Sequence, residues 1–428
     1  MPCALTCNMG DRVGVLCHIT SLPKENTASG KKFIDLIAKT QISAWQMLPI
    51  TPPNFDGSPY SSTSAFAGDS NLISTKKEAN MELEDYWIED WALFASIKKA
   101  QNNLPWIEWP KELRDRHPET INEWRNKINS ETKIQAQFQH SWIEMKKYAN
   151  DKNIKLIGDI PIFVNHDSAD VWAHRELFQL DSKGLPTHVA GVPPDYFSED
   201  GQIWNTVLYN WKAHAEDGWK WWKERIARML RLFDVVRIDH FRGFHSAWAI
   251  PIGSESARNG FWQEGPKEKI LTQLMEVAKN SERIIAEDLG IIPPEVIKLR
   301  RKFDLKGMAV LQFGFDGNSN NPHHPKNIKS DQLVYTGTHD NNTTRGWLNS
   351  IDSKTFNLVK ELLNSDDDPL QGLIRIAKQS PAEMAIFPLQ DLLDIGKEGR
   401  MNTPGTTEGN WNWKIEWKYI KKCNKLLE

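Results

Sequence analysis

Short apolar, β-branched runs recur about eight times along this chain, and most are followed by a stretch of helical spacing. They fall at 13–19, 43–50, 154–164, 235–238, 283–289, 308–315, 333–338 and 384–393. Runs of this kind suit strands covered on both faces, and their alternation with helices is the signature of a parallel α/β sheet. Two architectures satisfy it, a closed (β/α)8 barrel and an open doubly wound sheet. No glycine fingerprint for a dinucleotide or a phosphate follows the first run, which counts against the usual open-sheet enzymes. The expectation is an α/β protein, a (β/α)8 TIM barrel spanning 1–428 as a single catalytic unit.

Two stretches interrupt the alternation. Residues 74–153 are charged and rich in tryptophan (Trp87, Trp91, Trp106, Trp109, Trp124, Trp142) at helical spacing, and read as a helical insertion after the second strand. The chain holds 19 tryptophans; most read as packing residues, although flat rings also suit the faces of pyranose sugars. The segment 190–204, AGVPPDYFSEDGQIW, reads as a long Pro/Gly loop that places Tyr196, Phe197 and Trp204 together. A net charge of −3 points to neither a nucleic acid nor a membrane as partner. Residues 1–10 lack the pattern of a signal peptide, and no run is long enough to span a bilayer. Cys3, Cys7, Cys17 and Cys423 match neither a zinc spacing nor a disulfide framework, so reduced thiols in a cytoplasm are expected.

The chemistry gathers at strand ends. In VVRIDHFRGF (235–244), Arg237 and Asp239 project to the same side of a strand. An arginine beside a carboxylate keeps it ionised at neutral pH, which suits a nucleophile and suits a structural ion pair equally well. Two further strands end in acids, at Glu287-Asp288 and at Asp340. A single acid at a strand tip commonly caps the next helix; three, with Arg237 and His339 attached, argue for chemistry. In a barrel the tips converge on one rim, where the active site is built. Glycosidic cleavage needs two carboxyl groups across a bound sugar, one attacking the anomeric carbon and one protonated to donate to the leaving oxygen. A third can stabilise an oxocarbenium-like transition state, and His339 suits a hydrogen bond to a sugar hydroxyl.

VRIDHFRGF, AEDLG and TGTHDNNTTRGW resemble the catalytic segments of the 4-α-glucanotransferases (amylomaltases, or disproportionating enzymes) of glycoside hydrolase family 77. GVLCHITSLP, SPYSSTSAFAGD, GDIPIFVNHDSADVWAH, AGVPPDYFS, VLQFGFDG and RMNTPGTTEGNW extend the resemblance, in the family's order, over nearly the whole chain. The resemblance implies a barrel with inserted segments, retaining transfer between α-1,4-glucans and maltooligosaccharides, and neither metal nor organic cofactor. It implies Asp239 as nucleophile, Glu287 as general acid/base and Asp340 as transition-state stabiliser. Arg237 and His339 would orient the nucleophile and the sugar, and Tyr60 would stack on the substrate. Tyr196, Phe197 and Trp204 would belong to a segment, 186–212, that overhangs the groove. Asp159, Asp288, Asp316 and Asn402 would contact or support the substrate. Retention places the first two carboxyl groups roughly 5–5.5 Å apart.

The chain departs from that pattern twice. After Trp204 the family usually continues Gly-Asn-Pro, whereas here Asn205-Thr206-Val207 follows, removing a permissive and a rigid backbone position. The stretch between Leu72 and Tyr86 is also short for the family's helical region. Two rival readings remain at this point: an α-glucan hydrolase, in which water outcompetes the acceptor, and a catalytically silent glucan-binding protein.

Overall fold

The computed structural model describes residues 12–74, 83–194, 200–364 and 366–420. In chain order its strands are β1 (Val13–Leu16), β2 (Ile42–Gln46), β3 (Lys155–Pro161), β4 (Val164–Asn165), β5 (His188–Val192), β6 (Gln202–Val207), β7 (Val235–Asp239), β8 (Ser246–Pro251), β9 (Phe261–Glu264), β10 (Ile284–Ala286), β11 (Gly307–Val310), β12 (Gln332–Tyr335) and β13 (Met384–Pro388). Eight of them form one parallel sheet in the order β10-β7-β3-β2-β1-β13-β12-β11. A bridge between Ile285 and Lys306 joins its two ends. Every neighbour is next in the series, so this is a (β/α)8 barrel.

The period-two rule sorts the strand residues. Val13, Val15, Leu156, Ile160, Val236 and Ile238 face outward into the layer of helices. Leu16, Ala44, Ile157, Met308, Leu333, Tyr335 and Ile386 face inward and fill the barrel. The inner face is not wholly apolar. Tyr335 donates its hydroxyl to Gln46 Oε1 (2.8 Å), and above that level Asp159, Arg237 and Asp239 point inward. The strands stop earlier than the apolar runs do. The run 308–315 passes into a 3-10 turn, Leu311–Phe313, and 384–393 passes into a short helix, Leu389–Leu392. Beyond the rim an apolar residue still packs, but it has no neighbouring strand to pair with.

Between β2 and β3 the chain runs through helices Asp85–Ala100, Lys111–Arg114, Pro118–Arg125 and Asn129–Asn150. Trp87, Trp91, Trp106, Trp109 and Trp142 of this stretch are buried and Trp124 packs against the same core, so these rings are packing residues. Helix Asn129–Asn150 packs on helix Thr27–Ile37 and on β3. Its Trp142 Nε1 donates to the carbonyl of Leu232 (3.1 Å), and its Lys146 Nζ donates to that of Phe233 (2.7 Å). A cation there meets the negative end of helix Lys220–Leu232. No helix of the described residues is long and apolar enough to cross a membrane.

The second sheet was not anticipated. β4, β6, β5, β8 and β9 form a five-stranded antiparallel sheet, so both ends of the 190–204 segment are strand rather than loop. Its ladder partners are distant in sequence, β5 pairing with β8, and that pairing overrides the local Pro/Gly turn signals. Val207 lies opposite both Val164 and Val189, an interior place in the sheet where proline could not donate. Between Ile203 and Val207 the register shifts, and Asn205 takes φ +56°. Asparagine tolerates this left-handed conformation better than other residues with a β-carbon, so the loss of glycine after Trp204 is accommodated.

Candidate active site

β7 carries the centre of the site. Residues 235, 237 and 239 face the barrel interior, and β3 lies beside them with Asp159 opposite Arg237 and Pro161 opposite Asp239. Arg237 Nη1 donates to both oxygens of Asp159 (2.8 Å each), and its Nη2 pairs with Asp239 Oδ1 (2.8 Å). Burial opposes the charge of Arg237, but the two carboxylates outweigh it and hold its pKa above the ordinary value. Asp159 also accepts the hydroxyl of Tyr60 (2.6 Å). It is fully enclosed and committed to these two partners, so it supports the site from below.

Glu287 enters from the end of β10. Like Ile285 before it, it faces inward, and it is 8% exposed. Its Oε2 accepts the backbone N–H of His240 (2.5 Å) and its Oε1 that of Leu289 (2.7 Å). His240, the first residue past β7, sits at φ +50° and leads into the 3-10 turn Phe241–Phe244, whose Phe241 N–H donates to the Glu287 carbonyl (3.0 Å). Burial first, and the neighbouring Asp239 carboxylate second, raise the pKa of Glu287 from 4.5 to about 8 against the pull of Arg237. At neutral pH this carboxyl is a proton donor, while the aspartate beside it is ion-paired. Environments that push two acids apart in this way divide the roles of acid and nucleophile.

That shift has a consequence for folding. A carboxyl whose folded pKa lies above its unfolded one contributes stability that is full below about pH 4.5 and is lost as pH rises towards 8. Glu287→Gln removes the loss and should stabilise the protein by a few kcal/mol near pH 9, with little gain near pH 5. Thermal melts at the two pH values check it; an equal gain at both would mean that Glu287 is not held neutral.

The third acid lies on the loop after β12. Asp340 is half exposed; its Oδ1 accepts from Asn402 Nδ2 (2.6 Å), and its backbone carbonyl from Arg400 Nη2 (3.0 Å). His339 Nε2 stands 3.4 Å from Asp340 Oδ2. The His339 ring lies flat on Tyr60, with centroids 5.1 Å apart and planes 16° apart, and Trp411 leans on both at 5.9 Å. Trp204 sets its indole edge-on to His240, with centroids 4.8 Å apart. The structure therefore brings Tyr60, Asp159, Trp204, Arg237, Asp239, Glu287, His339, Asp340 and Asn402 to one rim.

Of the two places expected for Asp288, contacting or supporting, its surroundings are those of a support. Adjacent residues of a strand point to opposite faces, so when Glu287 faces in, Asp288 faces out. Its oxygens meet Arg300 Nε (3.0 Å) and the N–H of Met308 (2.8 Å). This carboxylate bridges the barrel's weakest seam, β10 to β11, on the side away from Glu287. Gly307 makes room for it; a β-carbon there would lie 2.6 Å from Asp288 Oδ2. Asp316 accepts from Asn318 N–H in an exposed turn (2.8 Å), and among the described residues no hydrogen bond or ion pair joins it to the rest of the site. Tyr196 and Phe197 lie outside the described residues. The backbone of His240, the side chain of Arg400 and the ring of Trp411 were not singled out in advance, although RMNTPGTTEGNW contains the last two.

The family model described as 4-alpha-glucanotransferase matches residues 17–85 and 75–420. The two segments meet inside the 72–86 stretch that is short for the family. A chloroplastic/amyloplastic 4-alpha-glucanotransferase of Solanum tuberosum is 38% identical over 473 residues, covering 94% of this chain and 82% of its own. The 4-alpha-glucanotransferase of Thermus thermophilus is 37% identical over 471 residues, covering 94% of each chain. Among solved structures, the amylomaltase of Streptococcus agalactiae in complex with acarbose superposes with a TM-score of 0.90 at 31% identity, covering 97% of this chain and 98% of that one.

Proposed function

The chain belongs to the 4-alpha-glucanotransferases of glycoside hydrolase family 77, and from that membership we propose how its rim residues transfer α-1,4-glucan segments from a donor maltooligosaccharide to an acceptor glucan or glucose. Glu287, neutral at working pH, protonates the glycosidic oxygen as Asp239 attacks the anomeric carbon from the opposite side. The reducing-end fragment leaves, and a β-linked glucosyl ester of Asp239 remains. Glu287, now a carboxylate, takes the proton of the acceptor's 4-hydroxyl as that oxygen displaces Asp239. Two inversions restore the α-linkage. Arg237 orients Asp239 and draws on the electrons of the leaving ester oxygen. Asp340, held by Asn402, faces the sugar and stabilises its positive charge. The wall of Tyr60, His339 and Trp411 offers the sugar an apolar face.

The observation that carries this reading is the division between a proton-bearing Glu287 and an arginine-paired Asp239 on one rim. It requires kcat/KM to fall on the alkaline side, near pH 8, as Glu287 loses its proton. Buried Cys17 and the absence of an apolar spanning helix among the described residues fit a cytoplasmic setting. Transfer is tested by incubating the protein with maltotriose while resolving products by chain length and counting reducing ends. The expected result is glucose and a ladder of longer maltooligosaccharides with reducing ends constant. Rising reducing ends without a ladder would make the protein a hydrolase.

A further inference from the structure

Beneath the rim lies a cavity lined by His18, Ser21, His339, Asn342, Arg400 and Trp413, among others. Three of these residues carry a polar atom that is sealed from solvent and has no hydrogen-bond partner: His18 Nδ1, Ser21 Oγ and Asn342 Oδ1. His18 is 7% exposed and Ser21 fully enclosed. An unsatisfied buried polar group is destabilising, and three on residues that line one cavity mark a place for ordered water, which typically makes about three hydrogen bonds.

The donors and acceptors match. Burial, and secondly electrostatic repulsion between its ring and that of His339, lower His18 to a pKa of about 3, so its ring is neutral and Nδ1 is free to accept. A water that donates to His18 Nδ1 and Asn342 Oδ1 and accepts from the Ser21 hydroxyl satisfies all three groups. The two sides it joins differ in kind. His18 and Ser21 belong to a fixed turn after β1: Ser21 N–H donates to the His18 carbonyl (3.0 Å), Trp45 Nε1 to that of Cys17 (2.7 Å), and Ile415 N–H to that of Ser21 (2.9 Å). Asn342 belongs to the loop of His339 and Asp340, and Gln312 Nε2 donates to its carbonyl (3.0 Å).

We propose that His18 is a positioning residue, which through water shared with Ser21 and Asn342 ties the loop of His339 and Asp340 to the end of β1. The role rests on the glucanotransferase reading of that loop, but the water itself does not. Asparagine places a polar atom where Nδ1 stands, glutamine places one where Nε2 stands, and leucine places none. His18→Leu is expected to lower kcat for maltotriose transfer about tenfold, with KM within about twofold, since each tenfold is about 1.4 kcal/mol at the transition state. His18→Asn should restore most of the rate and His18→Gln should not. Equal rates for the asparagine and leucine variants, or a loss confined to KM, overturn the assignment. Should His18→Leu fail to fold, Ser21→Ala removes one partner of the water and must lower kcat in the same sense. A high-resolution crystal structure of the unaltered protein decides independently of activity. Water within hydrogen-bond distance of all three atoms is expected, and a dry cavity overturns the proposal even if the parent enzyme disproportionates maltotriose normally.

Discussion

Asp239→Asn slows maltotriose disproportionation by roughly 10⁴-fold or more, because the amide cannot form the glucosyl ester that the carboxylate forms. The substitution is nearly isosteric, Asp239 is partly exposed, and Arg237 keeps its bond to Asp159. Stability should therefore change by no more than about 1 kcal/mol, which separates lost chemistry from lost folding. Asp239→Ala carries the argument further by opening space beside the anomeric carbon. Azide entering there attacks from the side Asp239 occupied, Glu287 protonates the departing oxygen, and a β-glucosyl azide forms in one inversion. The same treatment of Asp340→Ala should yield none, since that variant retains its nucleophile. Parent-like transfer by Asp239→Asn would remove Asp239 from the role assigned to it.

What was legible in the sequence was whatever depends on local period. Alternation along 235–239 placed Arg237 and Asp239 on one face, and the ion pair at 2.8 Å follows from it. The same rule applied to Glu287-Asp288 separates a rim residue from one that braces β10 against β11. Treating the pair as a unit concealed this. The stacking of Tyr60 on His339 could not be read, because nothing local relates residues on the second and seventh barrel loops. The antiparallel sheet was hidden for a similar reason: β5 is stabilised by β8, and the intervening turn residues spoke more loudly than a partner far along the chain. The neutrality of Glu287 was legible only as a need of the chemistry. Its cause is tertiary, lying in burial and in the nearby Asp239, which outweigh Arg237 and the backbone N–H groups of Leu289 and His240.

The most severe loss of stability should come from Arg237. Its guanidinium is 5% exposed and neutralises two carboxylates, Asp159 with no exposure and Asp239 with 29%. Arg237→Met keeps an apolar stem beside Met308, whose sulfur lies 3.4 Å from Nε, but leaves a negative charge enclosed with the Tyr60 hydroxyl as its remaining hydrogen bond among the described residues. Removing one partner of a buried pair in this way typically costs about 3–5 kcal/mol. Transfer should fall as well, because the carboxylate of Asp239 loses the cation that holds it in place. The deficit has a sign with pH. Protonating Asp159 relieves it, so the gap to the parent narrows as pH falls, which is opposite in direction to the gain expected from Glu287→Gln at alkaline pH. Adding Asp159→Asn removes the stranded charge and should recover much of the stability while leaving transfer low. Chemical denaturation of the parent, both single variants and the double variant measures the coupling. If Arg237→Met and the double variant unfold at the same denaturant concentration, the charge of Asp159 is not what Arg237 is there to balance.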